Sequence, residues 1–137
     1  MPTLDAIAAD VRAWYDRYLD TFTTLAAGER ADVAALLPFF GVPLVIITEH
    51  RCQALPTREA VLSTAQTLVD QLRTATYASS TVHRLDIRPL NARAALVDGV
   101  FSRSDRAGNE FERFGAVYLV TRTDEGWRFS AIVFTAA

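Results

Sequence analysis

Two side chains stand out for chemistry because each sits alone in an apolar setting. His83 lies in the stretch Thr81-Val82-His83-Arg84-Leu85-Asp86-Ile87, where simple alternation puts it in phase with Leu85 and Ile87 and so on the inner face. An imidazole among aliphatic neighbours, given a carboxylate partner, can be tuned for general acid or base work. The plain alternative is a histidine that hydrogen-bonds a neighbouring strand or fills core. Asp98 is the only acid in the run 94–101. A carboxylate there has to be paired, wetted or protonated, because an isolated buried charge is costly. If Leu96 and Val100 face the interior, Asp98 joins them and can meet His83 as a catalytic pair. If Val97 and Phe101 do so, Asp98 faces outward; a one-residue change of register separates the two cases.

The aromatic residues supply a second candidate set. Trp14, Tyr18 and Phe22 fall on one helical stripe, and Phe40, Tyr118 and Trp127 are expected beside them. Such a stripe either is ordinary core or lines a small-molecule hollow, where the phenol tips of Tyr18 and Tyr118 would orient a ligand. Glu49-His50-Arg51-Cys52 crowds reactive types together, but adjacent residues of a strand point to opposite faces, so a solvated edge is expected. His50 and His83 are the only histidines and have no ligand spacing, so no metal is expected. Arg84, Arg88, Arg103, Arg106 and Arg113 are expected on the outer sheet face and its turns, beside Asp86, Asp105, Glu110 and Glu112.

These side chains need elements to hold them. Ile7, Val11, Trp14, Tyr18, Phe22 and Leu25 recur every three or four positions, which predicts a helix from about Leu4 to Ala27, ended by Gly28. A short helix follows from about Arg30 to Leu37, halted by Pro38. Residues 39–48 read as a strand with Pro43 at its start or on an edge. Thr57 is a fitting cap for a third helix lined by Val61, Ala65, Leu68 and Leu72. From Ser79 onward the period changes to two, with turns at 89–91, 105–109 and 124–126. Helices gathered at one end and a meander at the other give the α+β class: three N-terminal helices packed on a strongly curved, mainly antiparallel sheet.

Composition narrows the classes of function. The 137 residues are half apolar, enough for one domain over 1–137 with one core. A net charge of −2 offers no electrostatic attraction to nucleic acid or an anionic membrane. All fourteen basic residues are arginine, which excludes Schiff-base chemistry and a phosphate-loop lysine. No glycine-rich nucleotide loop or nucleophile elbow occurs, and no cofactor is expected. A single cysteine, Cys52, permits a reducing compartment, and Met1 to Asp5 lacks a basic segment leading into an apolar run, so a cytoplasmic protein without signal peptide or membrane span is expected.

The order of elements resembles the nuclear transport factor two-like superfamily. The likeness is carried by Ala27-Gly28-Glu29-Arg30-Ala31-Asp32-Val33-Ala34-Ala35-Leu36, by Thr57-Arg58-Glu59-Ala60-Val61, and by Thr123-Asp124-Glu125-Gly126-Trp127-Arg128-Phe129. It implies a cone-shaped fold with an enclosed cavity. The ketosteroid isomerase catalytic residues are not matched: the places of their tyrosine, base and donor acid fall near Thr21, near Leu44 to Ile46, and near Val117 or Tyr118.

Two readings of function stand side by side. In the first, a small and largely apolar molecule occupies the hollow between helices and sheet, with proton transfer of isomerase, cyclase or dehydratase type carried by His83 and Asp98. In the second, the domain is a non-catalytic homodimer whose hollow is filled by its own aromatics. Val117, Tyr118, Leu119 and Val120 make one late strand apolar on both faces, and Phe129, Ile132, Val133 and Phe134 do so for the next. A sheet covered by helices on one side only would show a polar outer face, so a homodimer through the outer sheet face is expected.

Overall fold

A computed structural model describes residues 2–137; Met1, the first of the residues read for a leader, lies outside them. Helix α1 spans Leu4–Ala26. The Thr3 side chain accepts from the backbone N–H of Ala6 at 3.1 Å and Asp5 sits in the first turn, so both the orphan donors and the helix dipole are met at its start. Gly28, at φ +82°, takes the left-handed backbone that ends the helix. All six residues of the expected stripe are buried, and Tyr15 with them.

The second helix differs from expectation. It is a 3-10 turn over Val33–Phe39 with Pro38 inside it. The Asp32 carboxylate accepts from the backbone N–H of Ala34 at 2.9 Å, which sets the start at Val33 instead of Arg30. Strands β1 (Phe40–Ile47) and β2 (Cys52–Leu55) form a hairpin, and helix α2 (Arg58–Thr74) then carries the chain away under its Thr57 cap. Arg73, in the last turn of α2, donates from Nε to the carbonyl of Leu25 at 3.1 Å and from Nη2 to that of Arg30 at 2.8 Å. It thereby satisfies backbone acceptors where α1 ends and pins the far end of α2 there.

Strands β3 (Tyr77–Asn91), β4 (Ala94–Asp105), β5 (Glu110–Thr123) and β6 (Gly126–Thr135) follow as an antiparallel meander. The six strands form one sheet in the order β2-β1-β6-β5-β4-β3, with β1 parallel to β6. Pro43 lies where the β1–β6 register breaks between Phe40 and Val45, and outside the β1–β2 pairs, so its missing N–H costs no ladder bond.

The inner face of the sheet is packed by α1. Phe129, fully buried, takes the ring of Trp14 at 4.6 Å, Tyr18 at 4.7 Å and Tyr118 at 4.9 Å between centroids. Edge and tilted contacts at these distances are favourable for aromatic quadrupoles. Beneath the middle of α1, where the aromatic stripe suggests a hollow, the structure has a gap of only about 20 Å³ beside Tyr15, Leu19 and Phe22. No helix among the described residues is long and apolar enough to cross a membrane.

Candidate functional site

The free space lies instead between α2 and the sheet, as a recess of about 420 Å³. Helix α2 lines it with Val61, Thr64, Ala65, Leu68 and Gln71, and the sheet with Leu44, Ile46, Leu55, Ile132 and Phe134. Thr48, Arg51 and Gln53, from the β1–β2 hairpin, stand on one side; Tyr18, Tyr118, Phe114 and Arg103 close the other. A depression of about 670 Å³ between the 3-10 turn and the β5–β6 hairpin is larger, but Arg58, Arg128, Asp124 and Glu125 give it a mixed-charge rim and no phenol reaches it.

Arg103 is the unexpected member. Its charge suggests the outer face, yet its side chain is only 11 % exposed and turned inward. The reason is the strand's own alternation: Ala95, Val97, Gly99 and Phe101 are all buried on the inner face, and Arg103 is the next in that series. That phase was readable in the sequence and outranks the residue type. Directly opposite on β5 is Glu112, whose Oε1 lies 2.6 Å from Arg103 Nη1. The guanidinium sits 4.5 Å from the Phe114 ring centre and 5.5 Å from that of Phe22, cation–π distances that offset part of its desolvation.

The phenols are kept protonated. Burial pushes the Tyr18 hydroxyl well above its ordinary range, and neighbouring Tyr118 pushes the same way while the Arg103 charge opposes. Tyr118 is raised by burial too, with neighbouring Tyr15 and Arg103 both acting to lower it. At neutral pH both lining phenols are therefore uncharged and able to donate.

Of the expected ligand-lining residues, Tyr18, Phe40 and Tyr118 border the recess. Phe22 lies behind Arg103 and not on the recess wall. Trp14 and Trp127 are core: Trp14 packs on Phe129 and Phe39, and Trp127 lies under Arg122 at 5.9 Å.

His83 and Asp98 are not brought together. A β-bulge between Val82 and Arg84 inserts His83 as an extra residue. A bulge changes the phase of alternation, so Leu85 and Ile87 pack inward while His83 is exposed. Its Nε2 lies 2.9 Å from the hydroxyl of Ser102, itself 3 % exposed. Asp98 alternates with buried Val97 and Gly99 and so points outward, accepting from Arg84 Nη2 at 3.1 Å. Arg84 also pairs with Asp86, directly across from Asp98, and bridges two like charges that would otherwise repel. Both catalytic candidates thus stand on the sheet face away from the recess. Nearby, Glu110 is held below the usual carboxylate range, first by its bond to Arg113. Arg84 and Arg113 are half exposed on the outer face, as expected for them.

A curled, mainly antiparallel six-stranded sheet with three helical segments is the fold of the NTF2-like class of α+β domains. Within it the chain belongs to the family described as NTF2-like protein (DUF6841), whose model matches residues 9–137. No curated protein matches the sequence. Among solved structures, the chain is similar to an NTF2-like protein of unknown function from Pseudomonas putida KT2440, with 10% identity, TM-score 0.75, and 97% of this chain and 88% of that one covered. It is similar also to a ketosteroid isomerase-like protein from Erwinia carotovora atroseptica SCRI1043, at 14% identity and TM-score 0.63 with 93% of each chain covered. The yeast UBP3-associated protein BRE5 matches over 100% of both chains at 12% identity and TM-score 0.69. At these identities the likeness is one of fold.

Proposed function

We propose that the chain is a small-molecule-binding domain whose ligand occupies the recess between α2 and the sheet. The observation that carries this reading is that Tyr18, Tyr118 and Arg103 border one end of a hollow whose wall includes Phe40, Leu44, Ile46, Leu55, Val61, Leu68 and Ile132, with the hydroxyls and amides of Thr48, Gln53, Ser63, Thr64, Thr67 and Gln71 among them. A mostly apolar enclosure with a few aimed polar groups is the usual form of a ligand site. Proton-transfer catalysis is not favoured there. The recess is lined by arginines, phenols, alcohols and amides, and by no imidazole or carboxylate to act as a base near neutral pH. The nearest carboxylate identified, that of Glu112, is engaged by Arg103.

The test is native mass spectrometry of protein purified gently from its own host, for the wild type and for Ala65→Trp, which fills the recess from α2. A retained mass present in the first and lost from the folded second supports the reading. A bare polypeptide mass in both, with no compound from a metabolite extract bound, ends it.

The outer sheet face supports a second element of this reading, self-association. Val45 and Ile47 on β1, Ala131 and Val133 on β6, and Val117 and Leu119 on β5 pair in register across that face and are all only partly buried. A continuous apolar face of this kind calls for a cover. A second copy fits because the same face would be buried twice about a two-fold axis, with the charged Arg84, Asp86 and Asp98 flanking it on the β3 side. Leu119→Glu should convert a dimer to a monomer in sedimentation equilibrium; a wild type that sediments as a monomer at all concentrations removes the proposal. A cytoplasmic setting is part of the same proposal, supported by the free thiol of Cys52.

A further inference from the structure

The charge of the recess is one-sided. Of its twenty lining residues two are arginines, Arg51 and Arg103, and none is aspartate or glutamate. This happens in a chain whose acids outnumber its bases, 16 to 14. Arg51 stands on the hairpin that leads into β2, and Arg103 on β4, four strands away across the sheet. Among the described residues the Arg103 guanidinium makes one ion pair, through Nη1 to Glu112 Oε1. A guanidinium has five N–H donors, and no buried side-chain nitrogen or oxygen of the described residues is left without a partner. The Arg103 nitrogens not used on Glu112 therefore keep some accessible surface, and Arg103 is one of the residues that line the recess. Glu112 is 45 % exposed and held only from one side, so it can turn to solvent at small cost.

We propose that the ligand of this recess is a small organic monoanion, an apolar body carrying one carboxylate, whose acidic group is received by the Arg103 guanidinium. The inference rests on the binding reading above and narrows it to a chemical class. A planar guanidinium binds a carboxylate through two parallel hydrogen bonds, and does so best where water is excluded. The protonated phenols of Tyr18 and Tyr118 donate to the same end, while Leu44, Ile46, Leu68 and Ile132 enclose the apolar body. Glu112 holds the guanidinium in place until the ligand's carboxylate arrives and competes with it. Arg51 at the mouth adds long-range attraction for an anion.

Isothermal titration calorimetry of the intact chain at neutral pH, with octanoate, octanamide and octylamine as probes, tests this. Octanoate should bind at least tenfold more tightly than octanamide, and octylamine should be weakest. Arg103→Gln should bring octanoate down to the affinity of the amide and leave the amide unchanged. Glu112→Gln, which removes the competitor, should raise octanoate affinity several-fold, and it serves if the Arg103 variant does not fold. Equal affinity for octanoate and octanamide in the wild type, or weaker octanoate binding in Glu112→Gln, overturns the monoanion while leaving the recess a binding site. Absence of binding by all three probes removes the monoanion; the recess itself falls only if the retained-ligand experiment also fails.

Discussion

The side chains of Arg103 and Glu112 face each other across β4 and β5 with 2.6 Å between Nη1 and Oε1, and Arg103 borders the recess from the β4 side. The arginine is nine parts in ten buried while its partner is half exposed, so the pair is asymmetric. Desolvation falls mainly on the cation, and the aromatic rings of Phe22 and Phe114 share in relieving it.

That asymmetry predicts the cost of breaking the pair. Glu112→Ala leaves a largely buried guanidinium without its counter-charge. The loss should be about 1–3 kcal/mol, below the figure for a fully buried pair because water reaches the Glu112 side. Urea unfolding of the variant measures it; a change within 0.5 kcal/mol, roughly the effect of an ordinary surface substitution, would show that solvent already holds the arginine.

All four tyrosines, Tyr15, Tyr18, Tyr77 and Tyr118, have hydroxyls raised above their ordinary value, each chiefly by burial. The native fold therefore prefers the protonated phenol. The corresponding stability is fully present below the unfolded-chain value of about 10 and is lost as pH rises above it. Absorbance at the phenolate band should show no titration step near the ordinary tyrosine value, and phenolate should appear together with loss of helical circular dichroism. A tyrosine that ionises in the folded chain near its free value would contradict this packing.

His83 binds the Ser102 hydroxyl on the outer face, so its role is local. His83→Ala should cost about 1 kcal/mol, the ordinary worth of one hydrogen bond to a buried hydroxyl. It should leave ligand affinity in the recess unchanged, since the sheet lies between. Denaturation and calorimetry on the same variant check both halves, and a tenfold loss of affinity would restore His83 to the site.

Phe129, fully buried, is the hub of the aromatic core, with Trp14, Tyr18 and Tyr118 all packed against it in tilted or edge contacts. Phe129→Ala should destabilise by about 3–5 kcal/mol through lost transfer energy and the cavity left behind. Thermal and urea midpoints report it; a loss under about 1 kcal/mol would mean that neighbouring rings collapse into the gap.

Phe101→Ala checks the platform next to Arg103. Its buried ring lies 5.5 Å from Phe114, whose own ring carries the guanidinium, so removal should cost about 3–5 kcal/mol and loosen Arg103 as well. Affinity for octanoate should fall with stability in this variant, and unaltered affinity would separate the platform from the site.

Periodicity alone was enough for the fold class. The spacing of Ile7, Val11, Trp14, Tyr18, Phe22 and Leu25 defines the buried face of α1 wherever that helix is placed, because a helix can hide only one stripe. The change to a period of two after Ser79, with turn residues at fixed intervals, determines the meander in the same way. Two-sided apolarity of β5 and β6 was equally legible, as Val117 and Leu119 against Tyr118 and Val120 show.

The site was decided by tertiary structure. Whether Asp98 faced in or out depended on which of two equivalent phases the packing of α1 selected, and burial of Val97 and Phe101 selected the outward one. His83 left the phase of Leu85 and Ile87 because one bulged residue shifts everything on one side of it, and such a shift arises between strands, not within one. The recess itself is a difference between two surfaces: α1 fits its part of the sheet closely, and α2, held at its far end by Arg73 on the carbonyls of Leu25 and Arg30, does not. A gap between elements has no residues of its own, so no local pattern in the chain can announce it.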